Sequence, residues 1–426
     1  MAPLSPSGSE WDRRYTDRMP PLALYVHVPF CQTKCPYCDF NTYAGIESLM
    51  PPYVGAIEHE AAQWGAWLGR PRLTSIFFGG GTPSYLPTRD LTRLMRAIAA
   101  AFDIAPDAES TAEANPGDCT RERLQLMRRI GFNRISIGVQ SFDDRELELL
   151  GRRHSAEQAK HAVDAARQAG FENLSLDLMF GLPYQFASTW EHTLEEAVAL
   201  EPDHVSAYAL TLEGGTPMEA DVRSRRLPEP DPDLVAEMYQ AAQRALAAAG
   251  YEQYEISNWA KPGRASNHNL AYWRSECYLG IGPAAHSYLF ANGEPALDAL
   301  GPHGVRFSDV RSPRTYIDSA NAWQAEGPLT PQAILAVGPV DSTEELSEAT
   351  AMGDVMMMGL RLNPGVADEA FRARFGVGIA EAFPGAVREC RDLGLVEWAD
   401  GALRLTDEGR LLGNEAFERF VAAAQA

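Results

Sequence analysis

The sequence predicts an α/β protein built on a partial (βα)6 barrel. Three observations carry that reading. Short apolar runs and longer amphipathic ones alternate six times from residue 22. Each apolar run is four to seven residues long and rich in Val, Ile, Leu or Phe. Gly131 and Gly170 stand where two of the intervening helices should end. Strands covered on both faces read as near-continuous apolar runs, and a glycine beyond the last helical turn adopts the left-handed conformation that closes a helix.

In chain order the strand candidates are Leu22–Val28, Ser75–Phe78, Ser110–Ala114, Arg134–Gly138, Leu174–Phe180 and His204–Leu210. The helices between them are Tyr53–Leu68, Arg89–Ala101, Arg121–Ile130, Asp143–Leu150, Ala156–Ala169 and Ser188–Ala199. Six such units can close partly as a barrel or open as a doubly wound sheet. The barrel core is assigned to residues 21–215. Beyond it Pro228-Glu-Pro-Asp-Pro232 is a stiff connector, followed by a helix over Leu234–Ala249 and a Gly- and Pro-punctuated stretch. Residues 216–326 are read as an α+β region packing on the barrel, and 327–346, Pro-containing and acidic, as a linker. Helical patterns and a short hairpin over 347–426 suggest a small winged-helix-like end domain. Met1–Pro20 is polar and reads as a disordered tail.

Composition limits the function. The chain has 426 residues, 37 basic and 58 acidic, for a net charge of −21. That balance argues against nucleic acid, which needs clustered Lys and Arg, and against a DNA-binding role for the end domain. No secretory signal core and no run of 18 apolar residues is present, so a cytoplasmic protein without a membrane span is expected. Six cysteines are too few for a disulfide scaffold.

Three of the six fall within eight residues, in Cys31-Gln-Thr-Lys-Cys35-Pro-Tyr-Cys38. This CxxxCxxC follows the first strand, so it lies on the face where barrel enzymes build their sites. Three thiolates suit a soft metal or an iron–sulfur cluster, and the local fourth ligand of a structural zinc is missing. His27 is a conceivable fourth but points from within a strand. Phe77-Phe-Gly79-Gly80-Gly81-Thr82-Pro83 ends the second strand, where glycines let a ligand approach the backbone. Glu113, Gln140 and Asp177 stand on or at the ends of later strands, and Arg152 follows the fourth helix. A carboxylate inside an apolar strand, as at Asp177, requires a cation or donors.

These segments resemble the radical S-adenosylmethionine (radical SAM) superfamily, with its TIM-like barrel. More narrowly they resemble the anaerobic coproporphyrinogen III oxidase family and its HemW subfamily, from about Tyr25 to at least Tyr316. The resemblance implies that Cys31, Cys35 and Cys38 hold a [4Fe–4S] cluster whose fourth iron takes S-adenosylmethionine. One-electron reduction then yields a 5′-deoxyadenosyl radical. It also implies that Tyr25, Tyr37, Gly80 and Glu113 line that cofactor. Gly81, Thr82, Gln140, Arg152 and Asp177 match a second S-adenosylmethionine site of the oxidases.

Two departures separate the oxidases from HemW proteins. The oxidases extend the motif to CxxxCxxCxC, and here Phe40 occupies the added position. The sequence also carries His268-Asn269-Leu-Ala-Tyr272-Trp273, matching the HNxxYW motif of HemW proteins and its association with haem. His and Tyr can bind haem iron, and aromatics can stack on a porphyrin. His268 follows a polar stretch and is expected on an accessible loop; Cys277 and His286 are alternative ligands, and Arg264 or Arg274 could pair with propionates. The implied function is a haem chaperone that hands haem to apo-haemoprotein clients at a respiratory membrane, with a homodimer as the expected assembly. Oxidative decarboxylation of coproporphyrinogen III is the alternative.

Overall fold

The computed structural model describes residues 22–293 and 295–425; the tail expected over 1–20 lies outside them. Six parallel strands follow one another in spatial order: β1 (Leu22–Val28), β2 (Arg72–Gly80), β3 (Asp103–Ala114), β4 (Arg134–Gln140), β5 (Asn173–Phe180) and β6 (His204–Ala209). Helices cross between them, as right-handed βαβ connection of parallel strands requires. The sheet curves as a partial barrel and does not close.

The alternation of side chains explains its two faces. Ile135, Ile137 and Val139 of β4 and Leu174, Leu176 and Leu178 of β5 are fully buried beneath the helices. The residues between them face the lumen and are polar. Paired positions in neighbouring strands share a face. Thr111 pairs with Arg134 and Arg134 with Asn173; Glu113 pairs with Ser136, Ser136 with Ser175 and Ser175 with His204. Barrel interiors are usually filled by layers of Val, Ile and Leu. This one is lined by hydroxyls, imidazoles and charges, leaving an interior suited to ligands rather than a dry core.

The sheet extends beyond the six strands at both edges. On one side β7 (Glu252–Glu255) and β8 (Asn258–Ala260) add antiparallel to β6. On the other, β9 (Tyr278–Ile281) pairs parallel with β1, and β10 (His286–Leu289), β11 (Val305–Asp309) and β12 (Val340–Glu345) follow antiparallel. Residues 216–326 therefore carry strands of the main sheet. The linker reading of 327–346 is corrected: the segment folds as a helix over Pro331–Leu335 and the edge strand β12. Trp64 anchors this extension, stacking on Phe307 at 5.3 Å and meeting Trp323 edge-on at 5.2 Å.

The C-terminal part has its own core around Phe371, Phe383, Leu403 and Phe420. Its three-stranded sheet orders β13 (Val366–Ala367), β15 (Ala402–Leu405) and β14 (Val396–Ala399), flanked by helices. The arrangement is winged-helix-like.

Candidate functional site

The C-terminal ends of the barrel strands open onto one cavity of about 450 Å³. Its mouth is formed by the cysteine loop and the ends of β4 and β6, and its floor by a short helix, Asn267–Trp273. Cys31, Cys35, Cys38, Tyr25, Tyr37, Gly80, Gly81, Thr82, Glu113, Gln140, Arg152, Asp177, His268, Asn269 and Tyr272 all line it. Trp273 does not.

The cysteine loop is braced from below by His27. Its Nε2 contacts the Asn41 carbonyl at 3.0 Å and its Nδ1 the Tyr25 hydroxyl at 3.0 Å. Both ring nitrogens are engaged, so His27 supports the loop and is not free to serve as a fourth ligand. Burial lowers its pKa to about 4, which keeps it neutral. Gly80 has φ +99, and a Cβ there would run into the His27 ring. A Cβ on Gly81 would lie 2.6 Å from the Val28 carbonyl and 2.7 Å from that of Phe30. Glycine at these two positions lets β2 close against the base of the cysteine loop.

The three thiols share the cavity with a sparse set of donors. Thr82 Oγ1 donates toward Cys31 Sγ at 3.5 Å, and an Arg152 Nη approaches Cys35 Sγ at 3.5 Å. Cys38 Sγ lies 3.9 Å from the Thr42 hydroxyl. Arg152 also donates to the Gly138 carbonyl at 2.7 Å. That carbonyl is freed by an irregularity in the β4–β5 register, where Gln140 takes φ +70. Bulges of this kind re-aim side chains beside sites.

Glu113 accepts the Gly80 N–H at 3.2 Å and faces the cavity. Burial, followed by repulsion from Asp177, raises its pKa to about 8. Asp177 accepts from the Ser136 hydroxyl at 3.0 Å; burial raises its pKa too. A carboxyl held against ionisation in a cavity is a receptor for a cationic group, which restores its charge on binding. Three thiols on one loop, glycines that admit a ligand to the backbone and a carboxyl facing them fit an iron–sulfur cluster carrying an amino-acid-bearing cofactor.

The floor departs from the sequence reading. His268 lies on a helix and is 1% exposed, not on an accessible loop. Its Nδ1 pairs with the Ser75 hydroxyl and its Nε2 with the Tyr272 hydroxyl, each at 2.9 Å. It stacks on Phe77 at 5.1 Å. Burial, helped by the charge of Arg134, lowers its pKa to about 3. The buried Glu109 carboxylate caps the start of the helix, accepting from Ser266 Oγ and from the Asn267 and His268 N–H groups. The motif thus plugs the closed end of the barrel. Trp273 turns outward under the Arg361 guanidinium, 4.4 Å from its ring. Cys277 is buried with its thiol directed at the Phe290 carbonyl; it, His286, Arg264 and Arg274 are not among the lining residues.

Sequence reasoning missed Ser75, Glu109 and Arg134. The available signal was the polar residue at every second position of strands otherwise taken as uniformly apolar.

The radical SAM superfamily profile matches residues 25–197, and the HemN C-terminal domain profile matches 346–412. The heme chaperone HemW of Bacillus subtilis (strain 168) is 37% identical over 399 residues, covering 93% of this chain and 98% of that protein. The chain belongs to the HemW family. Another relative, the bovine mitochondrial protein named radical S-adenosyl methionine domain-containing protein 1, is 36% identical over 392 residues, covering 91% of this chain and 84% of its own. The structure of Escherichia coli coproporphyrinogen III oxidase (HemN) aligns with a TM-score of 0.77 at 23% identity, covering 94% of this chain and 90% of that one. HemW membership and the oxidase likeness agree on the barrel. Radical SAM membership implies a [4Fe–4S] cluster and S-adenosylmethionine.

Proposed function

We propose that this HemW-family chain is a haem chaperone that binds haem and transfers it to apo-haemoproteins, with respiratory-chain proteins as clients. The observation that carries the reading is its near-full-length similarity to the Bacillus subtilis heme chaperone. Cys31, Cys35 and Cys38 hold the [4Fe–4S] cluster. Tyr25, Tyr37, Gly80 and Glu113 receive S-adenosylmethionine, with Glu113 taking its cationic amine; Gly81, Thr82, Gln140, Arg152 and Asp177 stand where the oxidases hold a second S-adenosylmethionine. A cluster held by these three thiolates would supply one-electron reducing chemistry at this site.

Exposed aromatics at the cavity mouth support a porphyrin ligand: Phe40 is 62% exposed and Tyr208 42%. Flat rings of this kind stack on a macrocycle. Asn269 and Tyr272 offer polar contacts from the cavity floor. Iron ligation by His268 requires its bond to Tyr272 to open, which frees Nε2. Trp273 supports this wall from outside. The protein acts in the cytoplasm, as a homodimer, and reaches a respiratory membrane through its clients. Among the described residues no helix is long and apolar enough to cross a membrane.

Oxygen-independent coproporphyrinogen III oxidation is the second reading, favoured by the shared fold. Phe40, in place of the oxidases' additional cysteine, opposes it. The test is anaerobic incubation of the reconstituted chain with haem and, in parallel, with coproporphyrinogen III. Stoichiometric haem binding, delivery to an apo-haemoprotein and no protoporphyrinogen IX are expected. Efficient double decarboxylation would overturn the chaperone reading.

A further inference from the structure

Behind the cysteine loop, outside the cavity, two acids meet without a base. Glu60, on the helix Met50–Trp67, and Asp309, the last residue of β11, are both buried. Glu60 Oε2 accepts the Gly282 N–H at 3.0 Å and the Tyr316 hydroxyl from the helix Pro313–Ala322. Glu60 Oε1 and Asp309 Oδ2 have no donor within hydrogen-bond reach, and the two carboxyls lie against each other. The Trp64 indole N–H faces Glu60 without completing a hydrogen bond. Burial, then the Glu60 charge, pushes the Tyr53 and Tyr316 hydroxyls up, so both facing phenols stay protonated. Among the described residues no Lys, Arg or His forms an ion pair with either acid. Arg311, two residues beyond Asp309, acts on His27 and His286 instead.

Two buried carboxylates in contact repel each other, and here no cation offsets the repulsion. One proton between them removes one charge and supplies the donor that both orphaned oxygens lack. The pair also joins segments that hold the cysteine loop. Gly282 packs so closely on β1 that a Cβ would lie 2.7 Å from the His27 carbonyl, which also accepts the Tyr53 hydroxyl at 2.7 Å. Asn41, three residues past Cys38, donates to the Pro283 carbonyl at 3.1 Å and the Arg311 carbonyl at 2.8 Å. Pro283 follows Gly282, and Arg311 follows Asp309 by two. The loop is therefore moored to the two segments that the acid pair holds together.

We propose that Glu60 and Asp309 share one proton and form a clip that moors the cysteine loop to the sheet extension, and that the clip opens with release of that proton. In the opened state water reaches both carboxyls, each returns to its ordinary acidity, and the proton passes to solvent. Burial raises Glu60 from 4.5 to about 7, and burial with the Glu60 charge raises Asp309 far above 3.8. The clip is accordingly firmest below the ordinary values and weakens as pH climbs toward and through the raised ones. For one proton, opening gains up to about tenfold per pH unit. Retention of whatever the cysteines hold thus depends on pH through two residues that touch no ligand.

Hydrogen exchange reads the clip in the full-length chain without a cluster. The Cys31 N–H bonds the Tyr43 carbonyl at 3.0 Å and the Tyr43 N–H the Pro29 carbonyl at 2.8 Å, closing the base of the loop. After correction for the intrinsic rate, protection of these two amides in the parent should fall by about tenfold or more between pH 7 and 9. The double variant Glu60→Gln/Asp309→Asn keeps the shape and the hydrogen bonds without a titrating proton, and its protection should change by less than about twofold. A parent whose protection does not move overturns the proposal, and that measurement needs no variant to fold. Equal falls in the parent and the double variant also overturn it. In the cluster-reconstituted chain, iron release to a chelator should quicken over the same interval in the parent alone. This last readout rests on the cluster assignment of the proposed function: a chain that takes up no iron refutes that assignment, and the amide protection still decides the clip.

Discussion

Replacing His268 distinguishes a barrel plug from a freely available haem ligand. His268→Ala leaves the buried Ser75 hydroxyl without its partner and removes the ring that stacks on Phe77. It also frees the Tyr272 hydroxyl, which faces the cavity and can be rehydrated. An orphaned buried polar group costs about 1–3 kcal/mol and a lost ring pair about 0.5–1.5 kcal/mol, so the ligand-free chain should lose about 3 kcal/mol. His268→Gln, which keeps a donor and an acceptor, should lose about half as much. The acid limb supplies an independent check. The folded pKa, about 3, lies below the ordinary 6.5. Its contribution is therefore fully present above pH 6.5 and is lost as pH falls toward 3. One proton linked in this way changes stability by up to about 1.4 kcal/mol per pH unit. The gap between parent and His268→Gln, about 1.5 kcal/mol at pH 7, should accordingly close by about pH 5. Urea unfolding followed by tryptophan fluorescence at several pH values measures both quantities. An unchanged midpoint for His268→Ala at pH 7, or a gap that does not move with pH, would refute the plug.

Two further outcomes are expected. Simultaneous replacement of Cys31, Cys35 and Cys38 by Ala should abolish the brown absorbance of anaerobically reconstituted protein, and full iron and sulfide content would contradict the ligand assignment. Glu113, raised to about 8 from 4.5, stabilises the ligand-free fold fully below pH 4.5, and this contribution is lost as pH rises through 8. Glu113→Gln should flatten the fall in the unfolding midpoint across that window; identical slopes for the two proteins would remove the case for a buried, uncharged carboxyl.

The six βα units were legible because each strand buries its helix-facing residues completely, as Ile135, Ile137 and Val139 do. The cysteine loop and the glycine run were legible as local spacings. The edge strand β12 was not. Its sequence, Val-Asp-Ser-Thr-Glu-Glu, has most of its residues exposed or half-buried, so no apolar alternation marks it. His268 was misplaced because polar neighbours suggest a loop. Its burial depends on Glu109, which lies 159 residues earlier and caps its helix. Arg134 and Ser75 escaped notice for a related reason. A lumen that keeps polar groups inside reverses the usual inference from an apolar strand to a dry interior.

The helix Asn267–Trp273 is a wall with two tenants. One side closes the cavity through His268, Asn269 and Tyr272; the other holds Trp273 beneath Arg361, which also reaches the buried Glu255 at 3.4 Å. Arg361 belongs to the chain leading into the C-terminal core, and Arg374 from that same part donates to the Tyr288 hydroxyl of β10 at 3.0 Å. Adjacent residues of a single short helix thus divide two compartments. The C-terminal part cannot tilt away from the barrel without unloading Trp273, and Trp273 cannot move without carrying Tyr272 and the bond that holds His268. Whatever grips the outside of this protein has its nearest lever on the inside one residue away.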